Sequence, residues 1–187
     1  MIREILATHI IPKSTTVYRG FLEKKFCADI VSSYERLKKI NNTGLRRDNL
    51  LNTERTDWNS HTDDVVNLVA SEIVKGFGVM ASYSRSEFGE IKFELTESWI
   101  AESQKDALVE PHDHGDNFYG INWSFVFYAR LPEEKTSLVF FDPTHGKTSV
   151  SLSEGDFLIF PSDLFHYTDD TCEGRLIYSG NFFVKLC

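Results

Sequence analysis

A chain of 187 residues that is 41% hydrophobic and 13% aromatic can bury a core of its own, which excludes a disordered tail and a disulfide-stapled miniprotein. Its net charge of −8 argues against nucleic acid as a partner, because that role needs a basic footprint to displace counterions. Cys27, Cys172 and Cys187 form no CxxC pair, and neither a signal peptide nor an apolar run of ~20 residues is visible. Reduced thiols and a soluble, cytoplasmic protein without a membrane span are the expectation.

Along the chain, Leu22, Phe26, Ile30, Tyr34 and Leu37 recur every three or four residues, so the segment 22–40 is predicted to be a helix with one apolar stripe. The polar stretch 41–60 reads as a surface loop. A second helix is predicted over 62–76, with Thr62, Asp63 and Asp64 suited to its start and Gly76 to its C-terminal cap. From residue 90 the pattern changes. "EIKFELTESWIAES" (90–103) alternates Ile91, Phe93 and Leu95 with polar neighbours, as a half-buried strand does. Further strands are predicted at 122–131, 137–143, 156–161 and 175–186, separated by the turn signals "PEEKT", "PTHGKT", "SEGD" and "DDTCEG". Helices followed by many short strands point to one domain, 1–187. Helical support fills about 1–80 and a mostly β jelly roll about 90–187.

Two windows carry chemistry: "PHDHGD" at 111–116 and "FPSDLFH" at 160–166. Alternate strand residues point the same way, so His112-x-His114 offers two imidazoles to one ion, and His166 supplies a third ligand from a distant strand. His114-x-Asp116 overlaps the first pair and stays open as the alternative, with His112 set back from the metal. His9, His61 and His145 have no partner at ligand spacing. Arg175 opens the last strand, where Arg175, Ile177, Ser179 and Asn181 share one face. A buried arginine there needs an anion, while a surface salt bridge is its plainer role.

Taken in order, "PHDH", "WSFVFYARLP", "LVFFDP", "GDFLIFPSDLFH" and "RLIYSGNF" resemble the Fe(II)- and 2-oxoglutarate-dependent oxygenases. They look most like small phage or bacterial members related to the prolyl hydroxylases. The resemblance spans about 90–187 and implies a double-stranded β-helix (jelly roll) that oxidises a C–H bond, with Fe(II) as metal and 2-oxoglutarate as cosubstrate. It implies His112 and His166 as ligands, with His114 where the family has a carboxylate. Ser124 and Tyr128 are implied as cosubstrate contacts, Arg175 as anchor of the distal carboxylate, and Asn181 as a pocket residue. Trp99, Trp123 and Tyr119 are candidates for the substrate mouth or for packing. A small molecule or a peptide is the expected substrate. Two rivals remain: a cupin-like three-histidine dioxygenase without 2-oxoglutarate, and a non-enzymatic jelly-roll binding module.

Overall fold

A computed structural model describes residues 5–8, 15–40, 46–48, 53–56, 59–84, 91–115, 121–132, 136–142, 146–168 and 173–186. Among the described residues two α-helices, α1 (Lys24–Ile40) and α2 (Asp64–Ser84), and one short 3-10 helix (Ser60–Thr62) accompany eleven strands. In chain order these are β1 (Ile5–Thr8), β2 (Val17–Phe21), β3 (Arg46–Asp48), β4 (Thr53–Arg55), β5 (Ile91–Ser103) and β6 (Ile121–Arg130). They are followed by β7 (Thr136–Asp142), β8 (Gly146–Leu152), β9 (Asp156–Pro161), β10 (Phe165–Tyr167) and β11 (Leu176–Leu186). The major sheet runs β1-β2-β9-β6-β11-β5-β4-β3 and the minor sheet β10-β7-β8, with antiparallel pairing throughout both.

The apolar runs of β6 and β9 have a simple cause: both faces of the major sheet are covered. Phe125, Phe127, Phe157 and Ile159 point to the helices and pack with Phe26, Ile30, Tyr34, Val69, Ile73 and Phe77. Their neighbours Val126, Tyr128, Leu158 and Phe160 point the other way, onto Leu138, Phe140, Val150 and Leu152 of the minor sheet. The predicted stripe of α1 is therefore core: Phe26, Ile30 and Tyr34 are buried.

α2 departs from expectation. Asp63 caps it through Val65 N and Val66 N at 3.1 and 3.2 Å, but the helix continues through Gly76 to Ser84. A helical glycine costs about 1 kcal/mol against alanine. Packing offsets it, since Phe77 sits edge-on to Tyr18, Phe93 and Phe182, and a Cβ on Gly78 would lie 3.2 Å from the Phe93 ring. The supposed loop 41–60 also needs correcting. It contains β3 and β4, and β4 extends the major sheet by pairing with β5. β1, β2, β8 and β10 likewise go beyond the predicted strands.

β5 changes face part-way along. Its partners on β11 step from Asn181↔Glu97 to Phe182↔Leu95, which leaves Thr96 as the extra residue of a bulge. Before the bulge Phe93 and Leu95 pack against the helix-side core. After it Glu97, Trp99, Ala101 and Ser103 line a cavity between the sheets.

Candidate metal centre

The segment carrying His112 and His114 is not a regular strand. It follows β10 and the turn before it as an irregular antiparallel partner, tied by a single bridge between His112 and His166. His112 N donates to His166 O at 3.1 Å and His166 N to His112 O at 2.9 Å. His114 N donates to Ser162 O at 2.8 Å, and Thr168 N to Val109 O at 3.2 Å. On its other side β10 pairs with β7, His166 opposite Phe140. Three imidazoles spread over a span of 54 residues, His112 to His166, thus converge, with one nitrogen from each ring within 4.8 Å of the others.

Their hydrogen bonds decide which nitrogens are available. His112 Nδ1 lies 2.8 Å from Glu110 O and His166 Nδ1 2.9 Å from Leu164 O. A carbonyl oxygen only accepts, so each Nδ1 carries the proton and the neutral ring keeps its Nε2 lone pair free. His114 Nδ1 lies 2.8 Å from Asn181 Oδ1 and 2.9 Å from Ser124 Oγ. Engagement of the remote ring nitrogen is what metal-binding histidines show. Burial pushes the His166 ring well below the ordinary imidazole value, and the charges that His112 and His114 would carry add to the effect. Burial lowers His114 as well, with the Asn181 bond opposing it. Neutral rings are the metal-binding form, so the donor set suits a divalent first-row ion.

The rings open onto a cavity of about 390 Å³. Arg175 lines it and is only 2% exposed, which rules out the surface salt bridge. Its Nη1 donates to Thr136 Oγ1 at 2.9 Å, its Nε to Ser103 Oγ at 3.3 Å and its Nη2 to Thr168 Oγ1 at 3.4 Å. These hydroxyls orient the guanidinium. Ile177, Ser179 and Asn181 line the same cavity, so the shared face expected on β11 is present. Tyr128 reaches it from β6, and Trp99 stands edge-on to His114 with ring centroids 5.6 Å apart.

Other expectations fall elsewhere. Ser124 is fully buried behind His114, bonded to Ser162 Oγ at 2.9 Å, and is not among the described residues that line the cavity. Trp123 packs on Phe77 and Tyr18 at the helix side. His61 bonds Ser98 Oγ at 3.2 Å, away from the cluster. Asp116, Tyr119, His9, His145, Cys172 and Cys187 lie outside the described residues. Cys27 is a buried thiol whose pKa burial pushes up to about 12. Among the described residues no helix is long and apolar enough to cross a membrane. The sequence reading missed Thr53 and Arg55, which reach the cavity wall from β4, and Glu97, which reaches it from β5.

No family model matches the chain, and no curated protein matches it. Solved structures do. A prolyl-4-hydroxylase from Pseudomonas putida superposes with a TM-score of 0.62 over 90% of this chain and 92% of that one, at 13% identity. The fold is that of the 2-oxoglutarate-dependent oxygenases. HygX from Streptomyces hygroscopicus, solved with nickel, 2-oxoglutarate and hygromycin B, shares this oxygenase fold at a TM-score of 0.61 and 15% identity, covering 90% of this chain and 82% of its own. So does a viral collagen prolyl hydroxylase from Paramecium bursaria Chlorella virus-1 in complex with 2-oxoglutarate, at 0.57 and 14%, covering 94% and 97%. The expected double-stranded β-helix with helical support is therefore present.

Proposed function

We propose that this chain is an Fe(II)- and 2-oxoglutarate-dependent oxygenase that hydroxylates a C–H bond of a small molecule or peptide. It works as one unit spanning 1–187. One observation carries the reading: three imidazoles with free Nε2 lone pairs share a cavity with a buried, hydroxyl-oriented guanidinium. His112, His114 and His166 hold the ion. Arg175 takes the far carboxylate of 2-oxoglutarate through its fork, and Tyr128 borders the cosubstrate's path. Bound Fe(II) with 2-oxoglutarate supplies the oxygen-activating chemistry, releasing succinate and carbon dioxide. The chain's own part is to orient the diacid, fix the rings and keep water out with Trp99, Val126, Leu138 and Phe160 on the wall.

The three-nitrogen donor set favours a second reading, a cupin-like dioxygenase that uses no 2-oxoglutarate. Anaerobic titration separates them. The oxygenase gives a visible charge-transfer band only when Fe(II) and 2-oxoglutarate are both present, and His166→Ala abolishes it. Iron binding with no such band, and no succinate in air, overturns the first reading in favour of the second.

A further inference from the structure

His114 stands where the resemblance leads one to expect a carboxylate, so the charge balance of the site and the tautomer of this ring both need an explanation. The structure provides one outside the ring. Asn181 Oδ1 lies 2.8 Å from His114 Nδ1, and Asn181 Nδ2 lies 2.5 Å from Glu97 Oε1. An amide side chain can sit in either of two orientations, and its neighbours choose between them. The Glu97 carboxylate only accepts, so it draws the amide nitrogen to itself and turns Oδ1 toward His114. Oδ1 also only accepts, so Nδ1 must hold the ring proton and Nε2 keeps its lone pair for a ligand. Ser124 Oγ supports the same orientation from 2.7 Å, since its hydroxyl can donate to Oδ1. The bulge at Thr96 completes the arrangement. Thr96 Oγ1 donates to Asn181 O at 3.0 Å, and the bulge turns Glu97 to the cavity side, where Asn181 already points.

We propose that Glu97 and Asn181 are positioning residues that set the His114 tautomer, and that Glu97 brings to the site, through the amide, the negative charge a carboxylate ligand would bring directly. The first half concerns the metal-free protein, while the second rests on the metal reading above. In a carboxylate–imidazole–metal arrangement the remote acceptor raises ligand basicity, and its loss costs about 10- to 100-fold in metal affinity. Here an amide sits between carboxylate and ring.

Long-range proton–nitrogen correlation spectra of the metal-free, 15N-histidine-labelled protein test the first half. His114 is expected to show its proton on Nδ1, and Glu97→Gln, which allows the amide to turn, is expected to shift it toward a tautomer mixture. A proton on Nε2 in the wild type overturns the proposal without any metal. Calorimetric titration with Co(II) tests the second half. Asn181→Ala is expected to weaken binding by about 10- to 100-fold, and Glu97→Gln to weaken it too. The double variant Glu97→Gln/Asn181→Asp is expected to recover most of the loss. Its carboxylate at position 181 still accepts from His114 Nδ1, and its amide at position 97 now donates to that carboxylate, so the inner bond is kept while the outer one is reversed. If both single variants bind Co(II) like wild type while His166→Ala does not bind, the relay is refuted and the metal site stands. If the wild type binds no Co(II), the metal reading and the charge-supplying role fail together.

Discussion

Replacing Arg175 with Met keeps most of the stem volume and removes the fork. In the wild type Arg175 is 2% exposed and its guanidinium is held by Thr136, Ser103 and Thr168, so under the proposed function it would meet a carboxylate already oriented and already desolvated. Each hydrogen bond between charged partners is worth about 1.5–3 kcal/mol, and a bidentate pair therefore about 3–6 kcal/mol. At about 1.4 kcal/mol per decade, Arg175→Met is expected to weaken 2-oxoglutarate roughly 100- to 10,000-fold. Arg175→Lys keeps a point charge without the fork and is expected to fall between. The three hydroxyls left behind can rotate toward one another or toward water, so the fold should survive. Calorimetric titration of 2-oxoglutarate into Co(II)-loaded protein reads the affinity, and thermal melting by circular dichroism checks the fold. A folded Arg175→Met protein that binds 2-oxoglutarate within about threefold of wild type refutes the reasoning, because bidentate pairing predicts at least two decades.

Three further outcomes follow from packing and titration. Phe77→Ala removes the ring shared by Tyr18, Phe93, Trp123 and Phe182 and should cost about 3–5 kcal/mol by denaturant unfolding. An equally stable variant would show that the helix-side core collapses freely into the space. Gly180→Ala places a Cβ 2.8 Å from Glu97 O and 2.7 Å from the Phe125 ring, where no ordinary contact fits. It should lose about 1–3 kcal/mol in the same assay and weaken metal binding as β11 moves from β5; unchanged stability refutes the close approach. Burial holds His114 and His166 below the ordinary imidazole value of 6.5, so the unfolded chain takes up protons that the native metal-free protein refuses. Stability should be full above that value and fall as pH drops below it, seen as a Tm that is flat down to about pH 6.5 and declines progressively over the window below it. His166→Gln should flatten part of that decline, and a wild-type Tm independent of pH across the window refutes it.

Much of this was legible in the sequence, for identifiable reasons. β6, β9 and β11 are buried on both faces, so their apolar runs announce them. β3 and β4 are three residues each and polar, and their order comes from pairing rather than composition. β8 lies at the edge of the minor sheet, and within it only Val150 and Leu152 are buried. The end of α2 escapes a sequence reading because Gly76 obeys local propensity on paper while Phe77, one residue on, is committed to the core. At the site, His112 and His114 could be picked out by their ligand spacing, and His166 and Arg175 because a ligating or charged residue beside an apolar strand needs a reason. Glu97 could not. Read at period two, it continues the row of Phe93 and Leu95, and an acid in that row has no evident partner. Only the position of Asn181 across the ladder shows what it meets, and a pairing register is not written in one strand.

The bridge between His112 and His166 has a consequence for the order of events in the life of the protein. Two main-chain hydrogen bonds, at 2.9 and 3.1 Å, join these residues before any ion is considered, and a third fixes His114 to Ser162. The chain closes its own donor face by folding. A zinc finger, by contrast, stays unfolded until its metal arrives. These bonds predict that folding does not wait for the metal: chelator-treated protein is expected to melt cooperatively, and an unfolded circular dichroism spectrum of that protein refutes it. An ion bound afterwards adds stability only according to its own concentration and affinity.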